Sequence, residues 1–99
     1  MLIAELQEHV KELSAAQGWE PRTPEDRALY LVTEVGELVR EVLALASAQS
    51  HDDAVAAKER LGLEMYDVIW NLADLANIVG IDLESAFARK IEINRDRSW

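Results

Sequence analysis

Two pairs of acids stand at helical spacing. Glu34 and Glu37 are three residues apart, and so are Glu64 and Asp67. In a helix that spacing puts both carboxylates of a pair on one face. Glu41 carries the first stripe one turn further, and Asn71 and Asp74 extend the second. An ordinary surface stripe lies opposite the apolar side, but these abut it. At about 100° per residue, Glu34 and Glu37 sit among Leu31, Val35 and Leu38, while Glu64, Asp67 and Asn71 lie beside Val68 and Leu75. Two such helices packed antiparallel bring four carboxylates together near the core. Clustered carboxylates repel, so either some protonate or a cation neutralises them. All-oxygen ligation suits a hard divalent ion, Mg²⁺ above all, with Mn²⁺ as a substitute. Zinc prefers His or Cys; the chain has no cysteine, and His9 and His51 stand outside the stripes. A carboxylate-held Mg²⁺ beside an open cleft serves phosphate chemistry, because it binds phosphoryl oxygens and lowers the pKa of a water. The plainer alternative is that an acidic helical chain places such pairs on solvated faces by chance. Spacing alone leaves both readings open.

The elements that must position these acids read as helices. Strand-like alternation is missing, and proline occurs only at Pro21 and Pro24. Ile3, Leu6, Val10 and Leu13 form an amphipathic seam, ended by Gly18. After a polar loop, Thr23 caps a second helix. Pro24 suits its first turn, and Glu25 and Asp26 face the positive end of its dipole. Ser47 to Asp53 is the next break. A third helix runs to Gly80, with Gly62 either bending it or marking its start, and its expected main seam is Leu61, Val68, Leu72 and Val79. Asp82 caps a short fourth helix seamed by Leu83, Phe87 and Ile91. The expectation is an all-α fold, a small antiparallel bundle of about four helices forming one domain over residues 1–99.

Composition bounds the function. Of 99 residues, 19 are acidic and 10 basic, giving a net charge of −9, and 49% are apolar. That is a globular composition with no basic surplus to displace counterions, so a nucleic acid polymer is not an expected partner. No apolar run approaches the roughly 18 residues of a membrane span, and the N-terminus lacks the basic segment of a signal peptide. A cytoplasmic protein is expected.

With both acidic pairs in hand, the chain resembles the MazG-like all-α nucleoside triphosphate pyrophosphohydrolases. Their pattern is Glu-x-x-Glu, a gap, then Glu-x-x-Asp. Here it reads Glu34-Val35-Gly36-Glu37-Leu38, then Glu64-Met65-Tyr66-Asp67-Val68-Ile69-Trp70. The likeness continues through Leu72 to Asn77, Gly80 to Leu83, and a closing Lys90…Asn94…Arg97 segment, covering about residues 19 to 97. Two departures bear on the fit around the substrate tail. Relatives carry an aromatic and a proline after the final arginine, where this sequence has Ser98-Trp99, and Leu63 and Tyr66 replace residues common before the second pair's ligands.

The resemblance implies Mg²⁺-dependent hydrolysis of a (deoxy)nucleoside triphosphate to the monophosphate and pyrophosphate, in house-cleaning or pool control. It makes Glu34, Glu37, Glu64 and Asp67 the metal ligands, one of them also handling the attacking water. Lys90, Asn94 and Arg97 become candidates for the triphosphate, and their spacing of four and three puts them on one helix face. Trp19 is a candidate to stack on the base, the alternative being closure of the bundle end. Asn71, one turn beyond Asp67, is placed to meet a phosphate or a base edge. Trp70 is expected to pack at a helix or subunit interface. The rival readings are a phosphoribosyl-ATP pyrophosphohydrolase and a non-catalytic acidic helical interaction module. Leu63, Trp70 and Ile78 lie off the main seam of the third helix, so more than one of its faces is apolar. A homodimer, or a tetramer built from it, joined through helices two and three, is the expected way to cover both.

Overall fold

The computed structural model of the chain describes residues 2–17 and 23–97. The described residues form α1 (Ile3–Ala16), α2 (Pro24–Ala46), α3 (His51–Val79) and α4 (Leu83–Arg95), with no strand among them. The starts and stops are local chemistry. Thr23 Oγ1 accepts the Asp26 amide at 3.1 Å ahead of Pro24, and Ser50 Oγ accepts the Asp53 amide at 3.1 Å to open α3. That second cap resolves the Gly62 alternative: α3 starts at His51 and runs through Gly62 unbroken. Gly80, at φ 76°, takes the left-handed turn that ends α3. Asp82 then caps α4, accepting the Glu84 amide at 3.1 Å and the Ser85 hydroxyl at 2.8 Å. The hydrogen bond from the Ser85 side chain, with those from the two backbone amides, holds the Asp82 carboxyl below the usual range.

The long pair α2 and α3 is the backbone of the fold, α1 packs on α3, and α4 has α1 as its main helix neighbour. Gln7 fastens α1 to the α3–α4 turn, donating to the Ile81 carbonyl at 2.6 Å and accepting the Leu83 amide at 3.0 Å. Asn77 of α3 donates to the Gln7 carbonyl at 3.1 Å. The core sits where α1 crosses α3. It is Val10, Trp70 and Ala73, with Leu6, Leu13 and Leu83 packed around them.

This core corrects half of the expected seam of α3, for Leu61 and Val68 are half-buried. Trp70 is only 8% exposed, whereas Leu72 and Val79 of the expected seam are 44% and 46% exposed. The reason is the neighbours. Ala73 leaves room for Val10 of α1 beside Trp70, and Arg27 of α2 takes Asn71 and Asp74, so the inward side of α3 is Trp70, small residues and polar groups. Leu72 and Val79 stay open, and Leu72 lines, with Ile69, Leu6 of α1 and Phe87 of α4, an apolar groove. Phe87 and Ile91 of α4 are similarly open. The radius of gyration is 16.3 Å, against about 13 Å for a compact domain of 100 residues.

Candidate active site

The acids expected at the site come from the facing sides of α2 and α3. Carboxylate oxygens of Glu34, Glu37 and Glu64 lie within 4.8 Å of one another, and all three side chains are half-buried. Asp67 stands outside that closest set, yet its charge acts on both Glu34 and Glu64. Burial first, then the charges of Glu37 and Asp67, push the Glu34 carboxyl above its ordinary value. Glu64 is pushed the same way by the same causes, with Glu41 adding to them. Oε2 of Glu34 and Oε2 of Glu64 are buried without a hydrogen-bond partner. Buried acceptors of that kind are costly unless a proton or a cation meets them. Three converging carboxylates with two unsatisfied oxygens therefore fit a hard divalent ion, and the donor set is all oxygen.

Beyond this cluster, toward α1, the two helices are joined by a buried polar network. Arg27 of α2 places Nε 2.9 Å from Asp74 Oδ2, with both side chains almost fully buried. Its Nη1 donates to Asn71 Oδ1 at 2.6 Å, and Asn71 Nδ2 donates to the Asp67 carbonyl at 2.7 Å. Ser14 of α1 donates to Asp74 Oδ1 at 3.0 Å. The guanidinium lies over the rings of Tyr30 and Trp70, 5.3 and 5.4 Å from their centroids. On the other side of the cluster, Arg60 Nε of α3 reaches Glu41 Oε2 at 2.8 Å and Oε1 at 3.2 Å.

The remaining candidates are placed differently. Lys90 is exposed on α4, and Arg97 lies just past its end, its amide donating to the Asn94 carbonyl at 3.1 Å. Asn94 is half-buried, with Oδ1 buried and lacking a hydrogen-bond partner. Because α4 packs mainly on α1, one chain does not pack these three against the α2–α3 carboxylates. Trp19 lies outside the described residues. Arg27 and Arg60 were not singled out from sequence. The signal was there: Arg27 stands two turns before Glu34 and Arg60 one turn before Glu64, each on the same helix face as the acid.

The sequence pattern of the MazG nucleotide pyrophosphohydrolase domain matches residues 22–98. This chain belongs to the MazG family. It is 35% identical over 89 residues to YvdC of Bacillus subtilis (strain 168), covering 85% of this chain and 84% of that protein. It is 36% identical over 78 residues to the dATP/dGTP diphosphohydrolase of Cyanophage S-2L, and 36% identical over 89 residues to dCTP pyrophosphatase 1 of Rattus norvegicus. Those alignments cover 79% and 87% of this chain, and 60% and 52% of the phage and rat proteins. The fold matches the crystal structure of iMazG from Vibrio DAT 722 with a TM-score of 0.71 and 33% identity, over 96% of this chain and 99% of that one. The all-α helical fold expected from sequence is thus a MazG fold, and the chain is a nucleotide pyrophosphohydrolase enzyme. That removes the non-catalytic alternative. No helix among the described residues is long and apolar enough to cross a membrane.

Proposed function

We propose that this MazG enzyme hydrolyses a deoxynucleoside or nucleoside triphosphate to the monophosphate and pyrophosphate, with Mg²⁺, or Mn²⁺ in its place, held by Glu34, Glu37, Glu64 and Asp67. The observation that carries the reading is the convergence of three carboxylates within 4.8 Å, two of them with a buried oxygen that nothing satisfies. When bound, a divalent ion draws charge from the phosphoryl oxygens and makes a water easier to deprotonate. The side chains do the rest. The four acids hold the ion in place between α2 and α3. One of them orients the attacking water and takes its proton.

Lys90, Asn94 and Arg97 bind the triphosphate tail, whose charge an acidic site cannot hold unaided. Asn71 keeps one amide hydrogen after donating to the Asp67 carbonyl, and offers it to a phosphate or base edge. Trp19 stacks on the base. Self-association belongs to the same proposal. The open aliphatic face of α3 and the large radius of gyration support a homodimer, or a tetramer of such dimers, joined through α2 and α3. Since α4 packs on α1, the site is then completed at the interface between copies.

The names of the phage and rat relatives point to deoxynucleoside triphosphates. The test is pyrophosphate release from a panel of NTPs, dNTPs and phosphoribosyl-ATP, with Mg²⁺ and with EDTA. Metal-dependent release from a nucleoside triphosphate is expected. Release from phosphoribosyl-ATP alone would transfer the assignment to that substrate, and no release from any would reject the proposal.

A further inference from the structure

Four like charges between two helices push the helices apart, so the spacing of the cluster has to be held by something else. The register shows what does. Along α2, Arg27, Glu34, Glu37 and Glu41 are separated by steps of seven, three and four. Read backwards along α3, Asp74, Asp67, Glu64 and Arg60 follow the same steps. The two inner rungs of this antiparallel ladder are acid against acid. Both outer rungs are arginine against carboxylate, with the arginine on α2 at one end and on α3 at the other.

We infer that the Arg27–Asp74 and Arg60–Glu41 pairs are the positioning residues of the site. They brace α2 against α3 at the separation that lets Glu34, Glu37 and Glu64 converge on one cation. This rests on reading the cluster as a cation centre. The ends of the brace are built differently. The Arg27 end is buried, anchored to α1 through Ser14 and to the main chain of Asp67 through Asn71. The Arg60 end is open, its side chains 52% and 14% exposed. An ion pair exposed to that degree adds little to global stability. Its place is one turn from Glu64 and, through Glu41, one turn from Glu37, so it sets the distance between two ligands. It also occupies Glu41, whose charge acts on Glu64 and which would otherwise crowd the cluster as another acid. Groups that orient ligands without touching the ion govern affinity because they fix ligand geometry before the ion arrives.

The test separates bracing from bulk electrostatics by keeping the net charge constant. Mn²⁺ affinity is measured by the electron paramagnetic resonance of free Mn²⁺ on the full chain. The variants are Glu41→Gln/Arg60→Gln and the exchange Glu41→Arg/Arg60→Glu. The neutral pair should bind Mn²⁺ about tenfold more weakly, with little change in metal-free melting temperature. Its metal activation constant should rise, and KM for nucleotide at saturating metal should not. The exchange should recover most of the affinity. Wild-type affinity in the neutral variant, or an exchange as weak as the neutral variant, overturns the bracing role. A wild-type chain that does not bind Mn²⁺ is a distinct result, which overturns the cation reading beneath it.

Discussion

Arg27 and Asn71 meet in a buried 2.6 Å hydrogen bond, and through it a cation on α2 reaches the main chain of a site acid on α3. Asn71 faces two ways: its oxygen accepts a hydrogen bond from the guanidinium, and its nitrogen donates to the Asp67 carbonyl. The network that closes the fold on one side of the cluster therefore ends on a residue of the cluster.

Removing Arg27 takes the counter-charge from a buried carboxylate. Arg27→Met breaks the ion pair of Asp74, which is 2% exposed and keeps the Ser14 hydroxyl, and should cost about 3–5 kcal/mol of stability. Adding Asp74→Leu to it should restore a large part of the loss, since the buried charge is then gone. Urea denaturation of both variants measures this. An unchanged midpoint in Arg27→Met would show that Asp74 finds another partner.

The acidity of the cluster sets a pH dependence. Burial and like charge raise Glu34 and Glu64 above their ordinary values. A carboxyl raised on folding stabilises the fold while protonated. That contribution is complete below its unfolded value and is lost as pH rises through its folded value. Metal-free protein should therefore lose melting temperature between mildly acidic and neutral pH, and Glu34→Gln/Glu64→Gln should lessen the slope. Saturating Mg²⁺ should reverse it, because the ion competes with protons for the same oxygens. Thermal melts followed by circular dichroism read both, and a slope identical in wild type and variant would contradict the assignment.

Lys90 is exposed on α4 and contributes nothing to the core, so its removal separates binding from folding. Lys90→Ala should raise KM by about tenfold or more, the loss of one charge-assisted hydrogen bond, with the melting temperature nearly unchanged. Unaltered kinetics would take Lys90 out of the site.

The face left open on α3 makes a prediction about mass. Light scattering at micromolar concentration should give a dimer or tetramer of the 11.1 kDa chain. Leu72→Glu, at a residue 44% exposed in the single chain, should shift the population toward monomer. A stable wild-type monomer would require another cover for Leu72 and Val79.

What was legible in the sequence was what is local. Thr23, Gly80 and Asp82 announce helix ends because a cap or a left-handed turn is decided within three or four residues. The two acid pairs were visible because their spacing and their place beside apolar residues are properties of single helices. The inward side of α3 was not. An apolar strip says that something covers it, not whether the cover is this chain or another, so Leu72 was expected inside and Trp70 off the seam. Asp74 read as an extension of the acidic stripe, and only the register of α2 against α3 reveals it as the counter-charge of Arg27. The role of Arg60 is silent in the sequence for the same reason, since its partner Glu41 lies on another helix.

The most direct measurement is turnover by Glu37→Gln, because Glu37 sits between Glu34 and Glu64 and its replacement keeps the shape of the side chain. With Mg²⁺ and the preferred deoxynucleoside triphosphate, wild type should give equal amounts of monophosphate and pyrophosphate by phosphorus NMR. The variant should give neither, while its metal-free melting temperature is equal to or above that of wild type, since one like charge has left the cluster. Wild-type turnover in Glu37→Gln, or a variant that is inactive only because it has unfolded, would contradict a catalytic cation centre between α2 and α3.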